Sequence, residues 1–206
     1  APFTFGQFTH GRKAYDVHHQ VTLSGNRDTF YSFGVFDLSK SDLTIVLPDS
    51  KGRYFTLMPI SQNHDVYLGL NAPGTYTFKQ SEIGTRYIIF VVRILVDPND
   101  PKDVEAVHKL QDGIKVIQAD KGDASGLQDW DEKSMLEMRK AYNILGSAAS
   151  SSANFFGVKC QNSYLDKAMG VAVGWGGMQE KDALYLPEQV AKNDGKWKFP
   201  KAVEVK

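Results

Sequence analysis

Seven consecutive residues, Asn26-Arg27-Asp28-Thr29-Phe30-Tyr31-Ser32, form the densest run of hydrogen-bonding side chains in the sequence. Asn and Asp side chains bond nearby backbone amides and fix chain corners. The same Asn26, Asp28, Thr29 and Tyr31 can also converge on a small polar ligand, and both readings stand. Arg53 and Tyr54 follow the turn Pro48-Asp49-Ser50-Lys51-Gly52, and Arg93 stands inside an apolar run; they complete the ligand-binding set. A buried guanidinium needs a carboxylate and further acceptors, for which Asp28 and Asp37 are the candidates. The alternative is an arginine that receives an anionic ligand.

Histidines raise the question of a metal, and spacing argues against one. His18 and His19 are adjacent in an alternating segment, so they project to opposite faces; His19 falls on the apolar face and His18 on the polar one. His64, beside Asn63 and Asp65, is the best general-base candidate. Paired with Asp28 or Asp65, it would serve a hydrolase of a small polar substrate. Asp97, Asn99, Asp100 and Asp103 lack the alternate spacing and central glycine of a calcium loop. The stretch 147–152 holds no G-x-S-x-G elbow. Gly174-Trp175-Gly176-Gly177 follows a helical pattern, so it reads as a helix stop rather than a dinucleotide cradle. A single cysteine, Cys160, excludes an internal disulfide framework. No cofactor and no metal are expected.

The elements that must hold these residues change period half-way. Residues 15–24 alternate almost without break, and β-rich runs follow at 29–36, 43–47, 54–60, 66–70, 76–78 and 87–96. The last is apolar on both faces and should lie centrally in a sheet covered on both sides. Asp100 and Pro101 then form a helix start. Val104, Val107, Leu110, Ile114 and Ile117 keep helical spacing through Gly113. A second amphipathic helix is expected over 131–145 and a third over 164–172, with strand pieces at 183–186 and 196–205. The domain organisation is an N-terminal arm (1–14), an antiparallel β-domain (15–96), a helical segment (97–177), and short strands with a basic tail (178–206).

The 206 residues include 24 basic and 24 acidic side chains, a net charge of zero that argues against nucleic acid or an acidic membrane as partner. With 42 % hydrophobic and 23 % charged residues, the chain is a folding one. The longest apolar run, 87–92 and then 94–96, is half a membrane span and is broken by Arg93, so no span and a soluble protein are expected. The start Ala1-Pro2-Phe3 has no initiator methionine. It reads as a processed end, which fits export to a periplasmic or extracellular space as well as removal of a tag.

The Asn26–Ser32 run with Gly34-Val35-Phe36-Asp37-Leu38-Ser39 closely resembles the opening block of the bacterial domain-of-unknown-function 1254 family. Pro48-Asp49, Gly52-Arg53-Tyr54, Val92-Arg93-Ile94 and Leu110-Gln111-Asp112 match it in order. Gly174-Trp175-Gly176-Gly177 with Ala183 and Tyr185 looks like the link toward the companion 1214 domain. Members usually continue into a second β-domain, whereas this chain stops at Lys206 after Lys192, Lys196, Lys198 and Lys201. The resemblance therefore implies a companion domain that is absent, cut away or supplied by another chain, and a between-domain pocket left incomplete. It also implies a β-sandwich-like first domain, a helical segment and homo-oligomerisation, but no settled activity.

Together these observations give an α+β fold, with an antiparallel sandwich or barrel-like N-terminal domain, then helices, then short returning strands. The leading functional reading is a non-enzymatic binding or assembly module. It would offer a polar pocket around Asn26, Asp28, Thr29, Tyr31, Arg53, Tyr54 and Arg93, with exposed strand edges for self-association. The competing reading is the His64 hydrolase.

Overall fold

Alternating apolar residues in the first half of the chain build two antiparallel sheets. The computed structural model describes residues 5–14, 26–67, 73–148, 157 and 163–173. In chain order the elements are β1 (Thr9–His10), β2 (Thr29–Asp37), β3 (Leu43–Leu47), β4 (Phe55–Ser61), β5 (Gly74–Phe78), α1 (Gln80–Ile83), β6 (Tyr87–Leu95), α2 (Pro101–Asp112), β7 (Lys115–Gln118), α3 (Glu132–Ala148) and α4 (Tyr164–Val173). One sheet has the order β1-β2-β6-β4 and the other β5-β3-β7. Among the described residues neither sheet closes into a barrel; the two open antiparallel sheets share one core.

The core lies between the sheets. Phe30 and Phe36 of β2, Phe55 and Leu57 of β4, and Ile88, Phe90, Val92 and Ile94 of β6 meet Leu43, Ile45 and Leu47 of β3 and Phe78 of β5, with Val107 of α2 closing one side. The rings of Phe36 and Phe78 approach Phe90 edge-on at 5.6 and 4.7 Å, the arrangement that ring quadrupoles favour. As its continuous apolar sequence requires, β6 is central. Its other face joins a second cluster of Ile60, Val66 and Val91.

Two buried polar groups tie the connections to this core. Gln111 on α2 is fully buried, and its Nε2 donates to the carbonyls of Gly11 (3.1 Å) and Tyr31 (3.2 Å) and to Ser32 Oγ (3.3 Å). Its Oε1 accepts from Arg12 Nη1 at 3.2 Å. Asp37, at the end of β2, is also fully buried; it accepts from Arg86 and from the amides of Ser39 and Asp123. Gly122 has φ +61°, and a Cβ there would run into the Asp37 carboxylate, so glycine is required at this point of the loop.

Helix α2 starts as expected, with the Asp100 side chain accepting from Lys102 N at 2.9 Å and Pro101 as its first residue. It does not continue to Ile117. Gly113 caps it, and residues 115–118 become β7, pairing antiparallel with β3. The helical spacing of Ile114 and Ile117 is overridden because the open edge of β3 offers backbone partners. Val116 then turns to the core while Ile117 stays 58 % exposed. The strands expected at 15–24, 183–186 and 196–205, His18, His19, Cys160 and the Gly174–Gly177 segment lie outside the described residues. Of the run 66–70, Val66 and Tyr67 fall within them, Val66 in a bridge with Ile60 and Tyr67 N donating to Pro59 O at 3.0 Å.

Candidate functional site

Strand pairing puts most of the expected ligand-binding residues at one end of the first sheet. Tyr31, Arg93 and Thr56 stand side by side across β2, β6 and β4. The next row holds Thr29 and Leu95, and Leu95 N donates to Tyr54 O at 3.0 Å. Asn26 behaves as a corner, its Oδ1 accepting from Asp28 N at 3.0 Å. Arg53 donates to Leu95 O at 2.8 Å and clamps both carboxylate oxygens of Asp103 on α2. This clamp holds the Asp103 carboxyl below the usual carboxylate range. Arg53 lines two surface cavities of about 600 and 530 Å³, but Asn26, Asp28, Thr29, Tyr31 and Arg93 line neither. The set thus shares a sheet end without sharing these cavities.

Arg93 makes neither of the ion pairs expected for it. Asp37 pairs with Tyr87 in the strand register, six residues along β6 from Arg93 and roughly 20 Å away at strand rise. Its carboxylate is held by Arg86 at 2.8 Å. Asp28 has the opposite parity to Tyr31, so it projects from the other face of the strand and is exposed. Arg93 instead lies over the Tyr31 ring, with its guanidinium carbon 5.6 Å from the centroid. Its buried Nε has no hydrogen-bond acceptor among the described residues.

His64 sits at the opposite end of the same sheet, in the turn that follows β4. Ser61 N donates to Asp65 O and His64 N to Ser61 O, both at 2.9 Å. His64 itself has φ +60°, a left-handed conformation uncommon for a residue with a side chain. Ser61 pairs with Ile88, whereas Asp28 O accepts from Val96 N at 2.8 Å. The two candidates are eight residues apart along the central strand, roughly 26 Å, so no His64–Asp28 pair forms. Asp65 is adjacent to His64, but its buried carboxylate is bound to Lys167 Nζ at 2.6 Å and to Ser61 Oγ at 3.4 Å. Burial pushes the His64 pKa below its usual value; Asp65 opposes this shift and Lys167 adds to it.

Beside His64 opens a groove of about 580 Å³ that none of the sequence motifs announces. Its walls are Trp130, Met135, Met138 and Tyr142 from α3 and its approach, and Tyr164, Ala168 and Val171 from α4. Gln62, Asn63, His64, Arg139 and Lys167 supply its polar groups. The helices that form it are locally well specified. Asp131 accepts from Ser134 N at 2.8 Å before α3, and Ser163 exchanges bonds with Asp166 at the start of α4. Yet no residue of α3 is buried.

Residues 5–118, more than half the chain, match the family model described as "Protein of unknown function (DUF1254)". The chain belongs to the DUF1254 family. No curated protein matches it. Among solved structures, the VPA0106 protein from Vibrio parahaemolyticus is similar in fold, with a TM-score of 0.59 and 12 % sequence identity. The similarity covers 74 % of this chain and 58 % of that one, so the chain spans well under two thirds of the neighbour's length.

In this DUF1254 protein the family span contains the Arg53–Arg93 sheet end, Gln111 and the His64 turn, whereas α3 and α4 lie beyond it. Among the described residues, no group of three or more His, Cys, Asp or Glu side chains is placed to hold a metal ion. No described helix is long and apolar enough to cross a membrane. The sequence signal that could have pointed to the groove is Met135, Met138, Tyr142 and Leu145 at alternating three- and four-residue spacing, close behind Trp130.

Proposed function

We propose that this DUF1254 protein is a non-enzymatic binding module whose site is the groove between α3, α4 and the turn at residues 62–64. The observation that carries the reading is a cavity of about 580 Å³ with mostly apolar walls and a few converging polar groups, the usual make-up of a small-molecule site. The left-handed His64 backbone at its rim supports it, since sparsely populated conformations concentrate at functional sites. The hydrolase reading loses support from geometry: His64 and Asp28 stand at opposite ends of the sheet, and Asp65 is engaged by Lys167. The polar sheet end at Tyr31, Arg53 and Arg93 then serves as scaffold, with Arg53 joining β4 to α2 through Asp103.

The test uses the neutral apolar dye N-phenylnaphthylamine, read by energy transfer from tryptophan. It should bind one to one, and Met138→Lys should weaken it at least about tenfold while circular dichroism stays that of the folded protein. Equal dye binding by the two proteins would refute the groove as the site. Self-association through β4 or β5, each at the end of its sheet among the described residues, belongs to the same proposal. Light scattering should then report a mass above that of one chain.

A further inference from the structure

Among the described residues, the charged side chains at the polar end of the groove, Arg139 and Lys167, are both basic, His64 lies beside them, and no Asp or Glu lines it. Lys167 is neutralised from behind by Asp65, whose side chain is nearly sealed from solvent. Arg139 differs: its Nε donates to Ala172 O at 2.8 Å, at the last turn of α4, which orients the guanidinium. Among the described residues Arg139 makes no ion pair, so its Nη groups present an uncompensated positive charge at the edge of an apolar trough. The amides of Gln62 and Asn63 add neutral donors. A guanidinium fixed through one nitrogen, with its remaining donors open, is a receptor for a carboxylate or similar oxyanion. Trp130, Met135 and Met138 next to it suit a hydrocarbon or aromatic body and reject a fully hydrated ion.

We propose that the groove binds an anionic amphiphile, a carboxylate on an apolar tail, with the head on Arg139 and the tail along Trp130, Met135 and Met138. This rests on the groove being the binding site and adds the charge of its ligand. An aliphatic and an aromatic carboxylate present the same head, and the groove walls accommodate either body.

Calorimetric titration at pH 7.5 with decanoate, decanol and decyltrimethylammonium separates charge from tail. Phenylbutyrate as a fourth ligand separates aliphatic from aromatic bodies. Decanoate should bind about tenfold more tightly than decanol, and the cationic amphiphile most weakly. Arg139→Gln should bring decanoate down to the decanol level and leave decanol unchanged; Arg139 is exposed, so this variant should fold. Equal affinity for decanoate and decanol, or a preference that survives Arg139→Gln, would overturn the proposal while leaving a neutral apolar site. Absence of binding by every amphiphile and by the neutral dye would remove the groove itself. A protein that binds none of them, and whose dimer is split by Met138→Lys, would show a second copy of the chain seated there, which also overturns it.

Discussion

Arg86 donates twice to one oxygen of Asp37, from Nε at 3.0 Å and from Nη2 at 2.8 Å, where β2 ends beside the start of β6. The same oxygen accepts from the amide of Asp123 at 3.2 Å, and the other accepts from Ser39 N at 2.8 Å. One carboxylate thereby fixes a strand end, the following turn and the loop after β7. Asp37→Asn keeps the shape but removes the charge, and its amide group cannot accept at both positions. We expect a loss of about 2 kcal/mol, read as a lower urea midpoint with an unchanged slope.

Acid should remove the stability that this bond confers. Burial alone would raise the Asp37 pKa, but the Arg86 and Ser39 bonds outweigh it and hold the carboxyl far below the usual range. A depressed folded pKa means that the unfolded chain takes up the proton first, so the stabilisation is fully present above about pH 4 and fades as pH falls below it. The stability gap between the native protein and Asp37→Asn should therefore be constant from pH 7 to 5 and narrow steadily toward pH 2. A gap that widens in acid would contradict the assignment.

Lys167 and Asp65 join α4 to the end of the first sheet at 2.6 Å, with side-chain exposures of 17 % and 4 %. Removing the cation leaves a carboxylate sealed without its counter-charge, which costs far more than losing an exposed pair. Lys167→Met should destabilise by about 3 kcal/mol. Adding Asp65→Asn to it should recover part of that loss, because the stranded charge disappears. A double variant as unstable as the sum of the single ones would mean that the two residues do not interact.

Much of the sandwich is legible in the sequence because its signals are local. Thr29 to Phe36 and Leu43 to Leu47 alternate, Tyr87 to Val96 does not, and Asp100-Pro101 marks a helix start. Each pattern reports burial without reference to any other strand. Register is another matter: nothing near Arg93 says that Tyr31 rather than Asp37 stands opposite it, or that Arg86 claims Asp37. Ile114 and Ile117 mislead because helical spacing and a short strand agree over four residues, and only the free edge of β3 decides between them. His64 is readable as a candidate, but its surroundings are not. Met135, Met138 and Tyr142 spell an apolar stripe whether it meets a core or, as here, lines an open groove.

Arg93 gives the sharpest contrast between the two accounts of this sheet. Were it a buried ion-pair partner, its loss would cost several kcal/mol. The structure shows a guanidinium resting over the Tyr31 ring at 5.6 Å and, among the described residues, no acceptor for its Nε. The favourable contact is then a cation–π interaction of about 0.5–1 kcal/mol, offset in part by the unsatisfied donor. Methionine keeps an unbranched stem at a position flanked in register by Tyr31 and Thr56, and removes both effects. Arg93→Met should thus change stability by less than about 1 kcal/mol, and a double-mutant cycle with Tyr31→Leu should return a coupling of that same size. A loss of several kcal/mol in urea, or zero coupling to Tyr31, would mean that the arginine is held by something other than the ring.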